Sequence, residues 1–344
     1  MSCFGIYTLA NDAVYDQLVA LLNSIEVNVS ADIPVCIIPY DDRMSRVRQE
    51  VDSRANITIF DNWESIQRWE NFAREVWAAY SQSSQKKSAQ LVRGRCLMQR
   101  RYAAFDGSFD KFVVYDADCL AMKPLDSVLK KLDVYDLVFD DWEHSKPDPV
   151  TALNLPFIEK STSLSAAKVR SQLHCASFFG SKRGLFDRDQ LSTLKEKLTK
   201  HREIEWINGV SEAFLFNYMT VRGEYSIFNF TLSPDGQDRT GNCADADPFL
   251  TINNVLYNEE GLKPIHRIHY MNYSAVDFAR LCQGEDVDIR YKDIFLYYRF
   301  LKSPEQRPKQ LNPPSWLEKN SRKLKQMRQK IKVPFSTLFQ NKFR

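Results

Sequence analysis

Two carboxylates spaced two residues apart, Asp116 and Asp118, close the apolar run Lys111-Phe-Val-Val-Tyr-Asp. In an extended segment, side chains at i and i+2 share a face, so the pair offers hard oxygen donors to one cation. If the run is a strand of an open α/β sheet, its carboxyl end borders the crevice where such sheets bind ligands. Carboxylates placed there suit Mg²⁺ or Mn²⁺ held jointly with a substrate's phosphates. The plain alternative is a solvated loop carrying two acids. Asp140, Asp141 and Glu143 follow another short apolar run and are placed to line the side where a second substrate would enter, with Asp141 the favoured one. A second Asp-x-Asp, Asp245-Ala-Asp247, lies in a Gly/Pro-flanked loop and is given no such role.

The elements that must position these acids alternate between strand and helix patterns over the first 140 residues, the signature of βαβ units and a mostly parallel sheet. Cys3 to Thr8 reads as a buried strand, and Leu18, Leu21, Leu22 and Ile25 make one apolar helix face. Pro34 opens a second strand ending at Asp41-Asp42, and Ile57 to Phe60 a third, before a stretch bearing Trp63, Trp69 and Trp77. Leu91 to Phe105 reads as a basic helix with Arg93, Arg95, Arg100 and Arg101. Strands are expected at Leu137 to Phe139, from Ala176, and at Ile265 to Tyr270, with helices near Leu185 to Lys200 and Ser211 to Val221.

The segment Thr8-Leu-Ala-Asn-Asp-Ala-Val-Tyr15, the strand ending in Asp-Asp, and Val-Val-Tyr-Asp-Ala-Asp-Cys-Leu-Ala-Met-Lys-Pro-Leu-Asp126 together resemble the retaining glycosyltransferases of the glycogenin and bacterial lipopolysaccharide galactosyltransferase family. The resemblance covers most of residues 3 to 275 and implies a GT-A fold, a Rossmann-like mixed, mostly parallel sheet flanked by helices. It further implies a nucleotide-sugar donor, most simply a UDP-sugar, with Mn²⁺ or Mg²⁺ as cofactor and a glycan or lipid-linked acceptor. By that resemblance Leu9, Ala10 and Asn11 cradle the nucleoside, Tyr15 stacks on the base, and the acid ending the second strand, Asp41 or Asp42, meets the ribose or base or serves the turn. Asp116, Ala117 and a basic residue upstream, Arg93, Arg95 or Arg101 with Arg93 the choice, face the diphosphate or sugar. A late histidine completes the metal site with Asp116 and Asp118; His269 is the best match and His266 its competitor. Glu212 matches an acidic segment that contacts donor sugar or acceptor. The chain departs from the family where Met271-Asn-Tyr-Ser-Ala replaces the usual Gly-x-x-Lys-Pro-Trp that grips the diphosphate.

At 344 residues, with 44% hydrophobic and 26% charged residues, the chain has the composition of a globular protein rather than a low-complexity one. Its seven cysteines show no CxxC spacing, which argues against a zinc finger or disulfide framework, and Cys3, Cys36 and Cys119 are expected in the core. The expected organisation is a catalytic domain over 1–302, with donor half to about 140 and acceptor half beyond it, then a Pro-rich linker over 303–314. Residues 315–344 carry nine Lys/Arg against one Glu and read as a basic amphipathic helical tail, suited to an anionic membrane surface. No apolar run of 18 residues and no secretory leader are readable, so a cytoplasmic, peripherally membrane-bound protein is expected. A nucleic-acid partner is disfavoured, because the rest of the chain is acidic and has no groove-reading motif. The competing readings are a haloacid-dehalogenase-like phosphatase, in which the first Asp would be a nucleophile, and a non-catalytic scaffold. Leu120 stands where the phosphatase motif has Thr or Val.

Overall fold

The computed structural model describes residues 3–84, 95–147, 152–208, 211–234, 239–258 and 262–313. Its main sheet has seven strands in the order β3-β2-β1-β4-β7-β6-β8. These are β1 (Phe4–Ala10), β2 (Val35–Pro39), β3 (Ile57–Ile59), β4 (Lys111–Asp116), β6 (Leu137–Phe139), β7 (Phe178–Lys182) and β8 (Ile227–Asn229). The order skips β5 because Cys119–Ala121 pairs instead with β11 (Arg267–His269). β9 (Phe249–Ile252) and β10 (Val255–Asn258) form a separate hairpin. β1, β2, β3 and β4 run parallel, β7 runs antiparallel to β4 and β6, and β6 is parallel to β8. The α/β class and the mixed, mostly parallel sheet are those expected from the alternating pattern.

β1 and β2 are buried along almost their whole length because both faces are covered, as in strands in the middle of an α/β layer. On one face α1 (Tyr15–Asn28) buries Leu18, Leu21, Leu22 and Ile25 against Ile6, Ile37 and Val113. On the other, α3 (Trp63–Ser84), which follows α2 (Ser45–Asp52), sets Trp69 against Tyr102 and Phe105 at ring separations of 5.4 and 6.0 Å. A third cluster joins Ile268 and Tyr270 to Phe278 and Phe295, carried by the helices Ala275–Cys282 and Lys292–Arg299.

Three expectations change. The described part of the basic helix ends as a 3₁₀ segment, Gln99–Asp106, in which Arg101, Tyr102, Ala103, Ala104 and Phe105 are all buried, because it is wedged between α3 and the sheet. Its consecutive burial overrides the amphipathic pattern. Cys3 is exposed, since it precedes the strand and its backbone N–H meets the Asp110 carboxylate; Cys36 and Cys119 are buried. The Pro-rich stretch is docked rather than free: Asn312 N donates to Gly284 O at 2.8 Å, Asp286 N donates to Asn312 O at 2.7 Å, and Leu311 packs on the third cluster. The tail beyond it, 315–344, lies outside the described residues. No helix among the described residues is long and apolar enough to cross a membrane.

Two imidazoles are folded into the core in their neutral form. His174 stacks on Phe139 at 3.9 Å with Nε2 2.8 Å from Thr220 Oγ1, and burial lowers its pKa to about 3. Burial likewise drives His266 well below the ordinary histidine range. Both protonate in the unfolded chain near pH 6.5 but not in the folded one, so stability falls as pH drops below that value. Each costs about 1.4 kcal/mol at pH 5.5 relative to neutral pH. Asp141, whose pKa burial raises to about 7, takes up a proton over the same range and acts with the opposite sign, so the test compares His174→Gln with the wild type. In urea unfolding the variant is expected to lose about 1.4 kcal/mol less than the wild type on going to pH 5.5, and an identical pH dependence would contradict the burial of His174.

Candidate active site at the carboxyl ends of β1 and β4

The register of the sheet brings the site together. Leu9 of β1 stands opposite Ile38 of β2 and Asp116 of β4, so the chain leaving β1 runs along the same edge as the two acids. That chain is held open by its polar residues. Asn11 is extended at φ −149°, its Oδ1 accepts from Ala13 N at 3.0 Å, and its Nδ2 donates to Asp41 Oδ1 at 3.0 Å. Asp12 accepts from the N–H groups of Ser45, Arg46 and Val47, satisfying donors at the start of α2. The result is a cleft of about 330 Å³ lined by Leu9, Ala10, Asn11, Gln17, Tyr40, Arg43, Arg101, Asp116, Ala117, Asp118 and Tyr273.

β11 returns beside β5 and places His269 opposite Cys119, next to the cleft residue Asp118. His269 Nε2 lies 3.5 Å from Asp118 Oδ1. Its backbone is fixed on both sides, by His269 N to Asn242 O at 2.6 Å and by Ala244 N to His269 O at 2.9 Å. Burial opposes ionisation of Asp118, but the adjacent imidazole outweighs it and holds the carboxyl below its usual range. His266 faces the other way, into the rings of Phe178 and Phe230, with Nε2 3.3 Å from Ser127 Oγ. Asp116 meets a cation of the chain itself: Arg101, 1% exposed, sets Nη1 2.7 Å from Asp116 Oδ1 and 2.8 Å from Ala176 O. Asp118 and His269 offer an oxygen and a nitrogen donor to a divalent cation such as Mn²⁺, with Asp116 also on the cleft wall. Gln17 also lines the cleft, and its buried Oε1 has no hydrogen-bond partner among the described residues.

Several expected roles are corrected. Tyr15 does not line the cleft: its hydroxyl donates to Glu50 at 2.8 Å and the Arg46 guanidinium sits 3.9 Å over its ring, so the face proposed for a base is taken. The aromatic rings at the cleft are Tyr40 and Tyr273. Asp141 is buried, accepting from Glu143 N at 3.0 Å and Cys175 N at 2.8 Å, and burial raises its pKa to about 7; it organises the loop after β6 and is not at the cleft. Asp41 is engaged by Asn11 and by Arg43, whose Nε donates to it at 3.0 Å. Partial burial works against its ionisation, but those donors hold it below the usual carboxylate range. Glu212 pairs with Arg95 at 2.9 Å and is close enough to Asp116 and Arg101 to act on their charge. Arg93 lies outside the described residues.

The stretch Met271-Asn-Tyr-Ser-Ala, which lacks the family's lysine, forms a turn with Asn272 at φ 74° and its Nδ2 2.6 Å from Asp245 Oδ2. That turn delivers Tyr273 and Ala275 to the cleft. Arg101 and Arg43 are the cations lining it among the described residues. Sequence reasoning missed Gln17, Tyr40, Arg43 and Tyr273. The only signal for Arg43 was its position directly after the Asp41-Asp42 pair.

No family model matches the chain, and no curated protein matches it in sequence. Solved structures similar to it include glycosyltransferases. The WbbM bifunctional glycosyltransferase aligns at a TM-score of 0.49 and 12% identity over 89% of this chain and 52% of its own, so this chain spans about half of that protein. The galactosyltransferase LgtC, solved with donor and acceptor sugar analogues, aligns at 0.47 and 12% identity, covering 86% of this chain and 95% of its own. The core-mannan synthase A of Aspergillus fumigatus, in its Mn/GDP form, aligns at 0.37 and 8% identity over 64% of this chain and 70% of its own.

Proposed function

We propose that this chain is a GT-A glycosyltransferase that moves a sugar from a nucleotide-diphosphate sugar, a UDP-sugar, to a glycan or lipid-linked acceptor. The observation that carries the reading is that Asp116 at the end of β4, Asp118 in the turn after it and the open loop after β1 line one cleft, with His269 of β11 3.5 Å from Asp118. Asp116, Asp118 and His269 would hold the cation. Such an ion, when bound, supplies charge neutralisation on the leaving diphosphate as Lewis acid and template. The chain's own residues supply the rest. Leu9, Ala10 and Asn11 border the nucleoside, Tyr40 or Tyr273 offers a ring face to the base, and Gln17 Oε1 accepts from it or from the ribose. Arg43, with a 64% exposed side chain, is free to exchange Asp41 for phosphate oxygens. Arg101 orients Asp116, and Glu212 borders the sugar and acceptor. Retention of anomeric configuration follows from the family resemblance alone.

The test is a panel of nucleotide sugars incubated with the full chain. Release of UDP from at least one UDP-sugar, only with Mn²⁺ or a similar divalent ion, is the expected result. Phosphomonoester cleavage without nucleotide-sugar consumption would instead establish the phosphatase reading.

A peripheral membrane location belongs to the same proposal. The tail contributes up to about 1 kcal/mol per Lys/Arg near an anionic surface, and the β9–β10 hairpin leaves Leu250 and Ile252 exposed on one face. Deleting residues 315–344 is expected to release the protein from anionic liposomes while sparing soluble donor turnover. Unchanged liposome binding after the deletion would contradict the tail's role.

A further inference from the structure

Among the described residues one trio of potential metal ligands is tightly gathered, and it is not the trio that the Asp-x-Asp spacing suggests. A carboxylate oxygen of Asp118, the Cys119 Sγ and a ring nitrogen of His269 all lie within 4.8 Å of one another. Asp116 is outside the group, its Oδ1 committed to Arg101 at 2.7 Å. The β5–β11 ladder explains the meeting, because Cys119 stands directly opposite His269 and opposed residues of an antiparallel pair share a face. The sulfur is not otherwise engaged in a strong contact. Cys119 is a free cysteine whose nearest polar neighbours are Ser177 O at 3.9 Å and Arg267 Nη1 at 3.8 Å. Arg267 is in turn held by Asp140 at 2.9 Å, so a fixed guanidinium stands beside the sulfur.

We infer that Cys119 is a further protein ligand beside Asp118 and His269, adding a thiolate to the proposed cation site and raising its preference for thiophilic divalent ions, Co²⁺ or Zn²⁺, over Mg²⁺. The inference rests on the reading of Asp118 and His269 as metal ligands and deepens it by naming the class of ion. On binding, the Cys119 S–H bond breaks, a sulfur–metal bond forms, and the proton passes to solvent. Metal–sulfur and metal–nitrogen bonds of about 2.3 and 2.0 Å require the three ligands to close up by on the order of 1 Å from their mutual limit. Thiolate ligands favour the softer ions, whereas Mg²⁺ takes oxygen donors and keeps several waters.

Titrating the metal-free full chain with Co²⁺ tests this without reference to activity. The expected result is a near-ultraviolet sulfur-to-cobalt charge-transfer band that saturates at one equivalent, resists a roughly 100-fold excess of Mg²⁺, and is absent in Cys119→Ser. Zinc-edge X-ray absorption on the wild-type protein serves if that variant does not fold, and should show one sulfur scatterer at about 2.3 Å. Stoichiometric Co²⁺ binding with no charge-transfer band, or an all-oxygen-and-nitrogen zinc shell, would overturn the role of Cys119 while leaving the Asp118–His269 site intact. No binding of Co²⁺, Zn²⁺ or Mn²⁺ would overturn both.

Discussion

Asp118→Asn is expected to lower donor turnover about 10³-fold, on the order of 4 kcal/mol of transition-state stabilisation, with little change in thermal stability. The asparagine is nearly isosteric, and the Asp118 side chain is 28% exposed, so the fold has little to lose. What is lost is one charged donor beside His269, and with it the cleft's capacity to compensate negative charge developing on a leaving diphosphate. The same substitution at Asp141 serves as the contrast. Asp141 touches backbone N–H groups of the loop after β6 and is not at the cleft, so Asp141→Asn should change stability and leave turnover per folded molecule within a few-fold. Donor assays and urea unfolding on the two variants separate a residue that holds the reacting groups from one that holds a loop. Equal losses of turnover in both would contradict that division.

Arg101→Met is expected to be the most destabilising single change near the site. The guanidinium is 1% exposed and serves both Asp116 Oδ1 and the Ala176 carbonyl. Removing one partner of a fully buried ion pair costs about 3–5 kcal/mol. Because the Asp116 side chain keeps 21% exposure, some water can replace the lost donor, which moves the expectation to the low end, about 3 kcal/mol. Arg101→Lys keeps the charge but not the planar fork, so it should recover only part of the loss. The double variant Arg101→Met/Asp116→Asn should be less destabilised than the sum of its singles, since the orphaned carboxylate is then gone. Additive losses would show that Arg101 acts through packing alone.

Much of this arrangement was legible in the residues, because backbone periodicity carries it. The apolar runs at 4–10, 35–39 and 111–116 are largely buried on both faces, and Asp116 ends its strand while Asp118 follows in the next turn, both at the cleft. His269 was favoured over His266 through the family resemblance, and the two side chains lie in different surroundings, His269 beside Asp118 and His266 against Phe230. What was not readable depended on packing across the fold. Arg101 was indistinguishable from Arg95 and Arg100, because a 3₁₀ segment wedged against α3 buries consecutive residues and erases the helical stripe. Tyr15 begins α1 as expected, yet the guanidinium over its ring comes from Arg46, 31 residues on, and no local pattern announces it. The Pro-rich stretch at 303–313 has the composition of a linker, and only its pairing with Gly284 and Asp286 shows it to be docked.

The central claim is that Asp116 and Asp118 with His269 make a cation-dependent nucleoside-diphosphate site. Thermal unfolding with a panel of nucleoside diphosphates, with and without Mn²⁺, on the wild type and on Asp116→Asn/Asp118→Asn tests it most directly. A ligand at about 100 times its Kd stabilises by about 2.7 kcal/mol. The account predicts a shift with UDP that requires Mn²⁺ and vanishes in the double variant. No shift with any nucleotide, or one that survives both substitutions, would contradict it.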